Sequence, residues 1–325
     1  MLRRDLVRAG LSLPFAAAAG SGVRAQGDYP NRPIRLIVPF GAGGSNDHPA
    51  RIYGERLTAA LGQQIVVENK PGASATLGGQ MVATAAPDGY TLLCTPTASV
   101  VITPHTRKMP YDPLVDLVPV ARMSTGPLTV TATNALGVRD MAEFIALAKQ
   151  NPGKFFFGSS GIGTITHLTG EVFSRAVGIK LQHAPYKTIV DAVGDIMSGR
   201  IHMVFDPSFM PQAKAGKLLA ALAATKERLT ELPNTPTAAE VGLDIANFRD
   251  RSWFALFAPK ATPRAVIERL SDELGKLAAE PDLQHKLMLV SQAAHHQPHD
   301  VFGRQVVEDR LYFANLIKEL DLKLE

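Results

Sequence analysis

Two stretches carry residue types that can do chemistry. "VPFGAGGSND", Val38 to Asp47, places Gly41, Gly43 and Gly44 close together, followed by Ser45, Asn46 and Asp47. "FFFGSSGIGTITH", Phe155 to His167, repeats the arrangement with Gly158, Gly161 and Gly163 among Ser159, Ser160, Thr164 and Thr166. Each leaves an apolar, strand-like run and enters a helical pattern. Loops at the carboxyl ends of strands are where α/β folds bind ligands. The first N–H groups of the helix that follows lack intrahelical partners, and the helix dipole there favours an anion. Glycine lets the backbone approach a ligand closely. Neither loop contains Lys or Arg. An anion here is held by neutral donors and oriented amides, which suits a carboxylate and lets it leave without breaking a strong ion pair. One such loop alone reads equally well as a tight strand-to-helix turn. Two of them, opposed across a cleft, can grip one ligand from both sides.

Catalytic readings fit less well. The nucleophile-elbow pattern Gly-x-Ser-x-Gly around Ser160 needs glycine where Ile162 stands. A dinucleotide fingerprint from Gly41 needs glycine where Asn46 stands, and no Gly-Lys-Ser/Thr phosphate loop occurs. His295, His296 and His299 lack a fourth ligand at a familiar spacing and read as an exposed polar turn. His167, just inside a helix start, reads as a capping or packing residue. Asp206 ends the apolar run "IHMVF". It either faces the cleft, accepting a hydroxyl, ammonium or water, or forms the turn beside Pro207 and Ser208. Cys94, the single cysteine, excludes an intramolecular disulfide and reads as a small buried apolar residue.

Apolar strand-like runs alternate with amphipathic stretches along the whole chain. Strands are expected at 34–40, 64–69, 90–94, 128–133, 155–158, 181–184, 201–205, 219–224 and 252–259. Helices are expected at 47–61, ended by Gly62, and at 140–150, opened by Asp140 with Glu143 three residues later. Further helices are expected at 165–177 and 189–198, and the remainder from Pro263 reads as mostly helical. Strands spaced by helices imply parallel sheets with crossover connections, here as two α/β lobes. The chain is expected to cross between them near 126–128 and 248–252. The first lobe is then discontinuous, 26–126 plus 252–325, and the second spans 127–251.

Residues 1–25 read as an export signal: Arg3, Arg4 and Arg8, a short apolar run from Leu11 to Ala19, and "VRA" before Gln26. The Arg3-Arg4 pair leaves Sec and twin-arginine export both open. The net charge of +4 owes most to four arginines in this leader, so the mature chain gives no electrostatic case for nucleic acid. No later segment reaches the roughly 20 apolar residues of a membrane span.

Many motifs in order resemble one family. They include "YPNRPIRLIVPFGAGGSND", "VVENKPGA", "AAPDGYTLL", "MPYDPLVDLVPVA", "GSSGIGTITHL", "HAPYK", "MVFD", "AGKLLAALAAT", "PTAAEVGL" and "SWFALFAPKATP". Together they resemble the periplasmic solute-binding receptors of tripartite tricarboxylate transporters, the Bug receptors, over essentially the whole mature chain. The resemblance implies a two-lobed α/β clamshell that closes on a small organic carboxylate and delivers it to membrane permease subunits, with no catalysis, metal or cofactor. It places Phe40, Gly41, Gly43, Gly44 and Asp47 on one side of the ligand. Ser159, Ser160, Gly163, Thr164 and His167 lie on the other, and Asp206 at the cleft edge. The chain departs from the pattern at Thr188, where glycine usually follows "PYK", at His48 and Pro49, and in the aromatic run Phe155–Phe157. Two other classes stay open: a carboxylate sensor docking on a histidine kinase, and an exported α/β hydrolase using Ser160. The absence of an evident apolar surface stripe points to a monomer.

Overall fold

The computed structural model describes residues 29–319 apart from 74, 127, 225–227, 230–231 and 244–251. The expected leader and the second crossing point lie outside the described residues.

Eleven strands among the described residues form two sheets. The first is ordered β11(Ala293–Pro298)-β4(Leu117–Thr125)-β10(Trp253–Pro259)-β3(Thr91–Pro96)-β1(Ile34–Val38)-β2(Ile65–Asn69). The second is β7(Leu181–Pro185)-β6(Phe155–Ser159)-β8(Met203–Phe205)-β5(Thr129–Thr133)-β9(Leu218–Ala223). Most strands in each sheet share one direction, but both sheets are mixed. β1, β2 and β3 pair in parallel, as do β6, β7 and β8. β10 runs antiparallel to β3 and β4, and β5 antiparallel to β8 and β9. The cause is the crossing. β4 ends as it leaves the first sheet and β10 begins as it returns, so Trp253 pairs with Thr125 and the strands must oppose. β10 and β11 therefore run against the other four strands of the first sheet, and β5 against the other four of the second.

Helices cover the sheets: α1(Asp47–Leu61), α2(Thr76–Ala83), α3(Thr103–Thr106), α4(Met141–Gln150), α5(Ile165–Val177), α6(Arg264–Ala278), α7(Pro281–Leu289) and α8(His299–Glu319). Local chemistry sets their ends. Gly62 takes a left-handed φ of 67° and closes α1 by donating to Thr58 O. The Asp140 carboxylate accepts the Glu143 N–H and opens α4. Every residue of β10 is buried, as a strand with both faces covered must be.

Three expectations change. The helix at 189–198 is a 3₁₀ turn, Ile189–Ala192, followed by a short helix, Val193–Met197. Thr188 opens that turn, and its N–H donates to Asp191 Oδ2 at 3.3 Å. The histidines of 293–298 belong to an edge strand rather than an exposed turn; Pro298 is tolerated there because the outward side of an edge strand needs no donor. His296 is half-buried, with Nε2 3.0 Å from Ser271 O. β4 had no counterpart in the strand expectations, because Pro119 and Arg122 break its apolar pattern.

The C-terminal helix α8 joins the two halves. Phe302 and Phe313 pack in the same core as Trp253 and Phe257, and Trp253 Nε1 donates to Asp309 Oδ2 at 2.8 Å. At its far end, Glu319 O accepts from Arg175 Nη1 of α5 in the second sheet's layer. Cys94 is buried and free, and burial pushes its thiol pKa up to about 12.

Candidate functional site

The two glycine loops share one device. Gly43 has φ +79° and Gly163 φ +73°, a region open mainly to glycine. Each then donates its N–H to the side chain four residues on, inside the first turn of the following helix. Gly43 N–H reaches Asp47 Oδ2 at 2.9 Å, and Gly163 N–H reaches His167 Nδ1 at 3.1 Å. A left-handed glycine turns the chain, and a buried acceptor locks the turn.

In the first loop, Asp47 is 1% exposed. Its carboxylate also accepts from Arg51 Nε at 2.6 Å and from Asn69 Nδ2 at 2.8 Å. Asn69 Nδ2 in turn reaches Phe40 O at 3.0 Å, tying the loop to the end of β2. Burial alone would raise the Asp47 pKa. The Arg51 guanidinium, Gly43 N–H and Asn69 amide outweigh it and hold the carboxyl below its ordinary value.

In the second loop, the His167 ring stacks on His183 with centroids 4.0 Å apart, and His183 stacks on Phe157. His183 Nε2 lies 2.6 Å from Ser159 Oγ. Burial lowers the His167 pKa to about 4; burial, with the neighbouring His167, lowers His183 to about 3. Both rings are neutral near pH 7, which leaves His167 Nδ1 free to accept the glycine N–H.

Between the lobes lie two adjoining cavities that share Phe40, Ala98, Ser160 and Thr164 in their walls. The inner one, about 40 Å³, is floored by Asp206, Trp253 and Thr166, with Ser45 and Asn46 at its side. It has room for water and the head of a ligand. The outer one, about 530 Å³, opens past Gly41 toward Gly72 and Tyr186.

Of the residues expected at the site, Phe40, Gly41, Ser160, Thr164 and Asp206 line these cavities. Gly43, Gly44, Asp47, Ser159, Gly163 and His167 line neither. The Asp47 carboxylate and the His167 ring turn back into their own loops and fasten them. His167 is the packing residue expected from its place in the helix. Asp206 forms the expected turn. Its Oδ1 accepts the Ser208 N–H at 2.8 Å, and the residue also lines the inner cavity. Burial raises its pKa, against the opposing Ser208 contacts. His48 lines neither cavity, and burial lowers its pKa.

Several residues of the site carried no signal in the expectations above. Thr97, Ala98 and Ser99 follow the carboxyl end of β3; the rule that located the glycine loops applies to them equally, but without glycine nothing drew attention there. Gln292 had no sequence signal at all. It is 3% exposed, accepts from Ser124 Oγ of β4 at 2.9 Å and donates through Nε2 to Ser45 O at 2.6 Å. A carbonyl only accepts, so the amide orientation is set by chemistry. Gln292 thus hangs the first loop from the strand that leads to the crossing. Gln292→Met keeps the volume and removes both bonds. It is expected to speed amide hydrogen exchange across residues 41–47 by about tenfold, the order of one hydrogen bond. Exchange in 158–167 should stay unchanged, and unchanged exchange in 41–47 would rule this role out.

Among the described residues no three His, Cys, Asp or Glu side chains gather as a metal site, and no helix is long and apolar enough to cross a membrane.

Residues 50–321 match the family described as tripartite tricarboxylate transporter family receptor. Protein BugT of Bordetella pertussis is 34% identical over 269 residues, 81% of this chain and 81% of BugT. The solved structure of R. palustris Rpa4515 with adipate is 28% identical with a TM-score of 0.83, covering 90% of this chain and 99% of that one. That of MatC from Rhodopseudomonas palustris with bound malate is 26% identical with a TM-score of 0.80, covering 89% and 100%. The fold, the paired glycine loops and these matches together place the chain in the tripartite tricarboxylate transporter receptor family, with the two-lobed architecture of its periplasmic binding proteins.

Proposed function

We propose that this protein captures a small organic carboxylate between its lobes in the periplasm and delivers it, unreacted, to the membrane permease subunits of a tripartite tricarboxylate transporter. The observation that carries the reading is the pair of locked glycine loops, with no basic side chain in either, facing one cleft. The adipate and malate held by relatives of the same fold support it. On this reading residues 1–25 are the export leader and the mature chain acts as a monomer. The lobes are 26–126 with 252–325, and 127–251; β5 to β9 build one sheet and the remaining strands the other.

The hydrolase reading fares worse on geometry. Ser160 Oγ meets Thr166 Oγ1 at 3.1 Å, not a histidine. The Ser–His contact that does form, Ser159 with His183, is closed to substrate because Ser159 is 0% exposed. Transport and sensing share this cleft, and co-purification with permease or kinase separates them.

Trp253 is the single tryptophan, is 0% exposed and lines the inner cavity. Its emission is therefore expected to shift when a carboxylate closes the cleft. The test uses the mature chain, refolded to remove carried-over ligand, against di-, tri- and aromatic carboxylates and their amides. A saturable shift and a raised melting temperature with an acid, absent with its amide, support the reading. No response to any acid refutes it.

A further inference from the structure

We propose that Thr188 is a specificity-determining residue, whose γ-methyl walls the outer cavity against the first lobe and limits how bulky a tail the bound acid can carry. This rests on the reading of the cleft as a carboxylate site and concerns only the part of the ligand beyond its acid head.

Gly41 and Thr188 both line the outer cavity, and neither lines the inner one. They stand on opposite lobes. A Cβ placed on Gly41 would lie 3.5 Å from Thr188 Cγ2, and apart from its chain neighbours no other described atom would come within 4 Å. The methyl therefore faces the bare Gly41 backbone from across the cleft, beside the space left for a ligand. The other glycine–threonine approach between the lobes, Gly163 with Thr106, lines neither cavity. That approach bears on closure, whereas Thr188 is also part of the wall.

The methyl is held in place. The Thr188 N–H donates to Asp191 Oδ2 at 3.3 Å, and the Thr188 carbonyl accepts the Asp191 N–H at 3.2 Å. On a fixed backbone a β-branched side chain has few rotamers. The surrounding wall cannot make room instead. Gly72, Ala73, Ala75, Ala98 and Gly161 have no side chain that can swing aside. Tyr186, also in the wall, is pinned by its hydroxyl to Asp195 Oδ2 at 2.7 Å. A methyl group offers no donor or acceptor, so Thr188 selects by size and not by charge.

The test measures affinities of the mature chain for two pairs of acids, succinate against phenylsuccinate and hexanoate against cyclohexylacetate. Within each pair the acid groups are the same and the bulk of the tail differs. Wild type is compared with Thr188→Ser, which removes the methyl and keeps the hydroxyl, with Thr188→Gly, and with Thr188→Val, which keeps the branched shape. Thr188 is half-buried, so all three variants are expected to fold. Thr188→Ser is expected to shift the affinity ratio toward the bulkier acid by about fourfold, the order of one buried methyl group, and Thr188→Gly further. Thr188→Val is expected to keep the wild-type ratio. Equal losses for both members of a pair, an unchanged ratio in Thr188→Ser and Thr188→Gly, or a shift in Thr188→Val as large as that in Thr188→Ser overturns the inference. Failure of wild type and Thr188→Gly to bind any of the four acids overturns it as well; the receptor reading falls with it only if the wider panel of acids also gives no response.

Discussion

Gly163→Leu is expected to lower carboxylate affinity by more than about a hundredfold while the protein stays folded. A Cβ on Gly163 would sit 2.9 Å from Thr106 Oγ1 and 3.2 Å from its Cγ2. Gly163 belongs to the second lobe's loop, and Thr106 ends α3 on the first. The contact crosses the cleft, so a side chain here is a wedge between lobes rather than a defect within one core. Overpacking of this kind costs about 1–3 kcal/mol, and a two-state hinge moves by that amount toward its open form. The left-handed φ adds strain of about 1–2 kcal/mol to the loop itself. The melting temperature should fall by only a few degrees, because the open form relieves the clash. Thr106→Ala in the same chain removes the atoms that collide and is expected to restore part of the affinity. If Gly163→Leu binds like wild type, the lobes do not close on this contact.

Asp47→Ala is expected to weaken binding by about thirtyfold and to cost about 2–4 kcal/mol of stability, the range for removing one partner from a buried charged network. Gly43 N–H loses its acceptor, while Asn69 and Arg51 each lose one and keep another, Phe40 O and Asn69 Oδ1. The effect on affinity is indirect: the loop loses its lock, while no ligand contact is deleted. Urea unfolding and titration of the same variant separate the two effects, and an affinity loss without any loss of stability would contradict the positioning role.

The same network predicts acid sensitivity. The folded-state pKa of Asp47 is depressed, so its stabilisation is present above the unfolded-state pKa and is lost as pH falls through the folded value. His167 and His183 act at higher pH. Burial lowers them from 6.5 to about 4 and about 3. Between their unfolded and folded values the unfolded chain binds more protons, so stability falls as pH drops below 6.5. Acidification is expected to loosen the second loop first and the first loop later. His167→Gln, whose side-chain oxygen can accept the Gly163 N–H, is expected to flatten the earlier part of that decline; an unchanged pH profile would show that His167 does not carry it.

What the sequence by itself determined was local. The ends of α1 and α5, the Asp140 cap and the placing of strands before glycine loops all rest on chemistry within a few residues: a left-handed glycine, a capping oxygen, an apolar run. The absence of cations from both loops was equally legible, and with it the preference for a carboxylate held by amides. The tertiary structure alone decided which way the polar side chains face. Asp47 and His167 stand beside the glycine loops in the sequence, and Asn69 and the stacked His183 hold their side chains inward. β10 is antiparallel because the chain returns from the other lobe beside Thr125. Gln292 meets Ser45 across 247 positions, and Thr106 meets Gly163 across the cleft. Such contacts leave no period or spacing in the chain. Their partners are chosen by how two separately formed lobes come together, which only packing in three dimensions specifies.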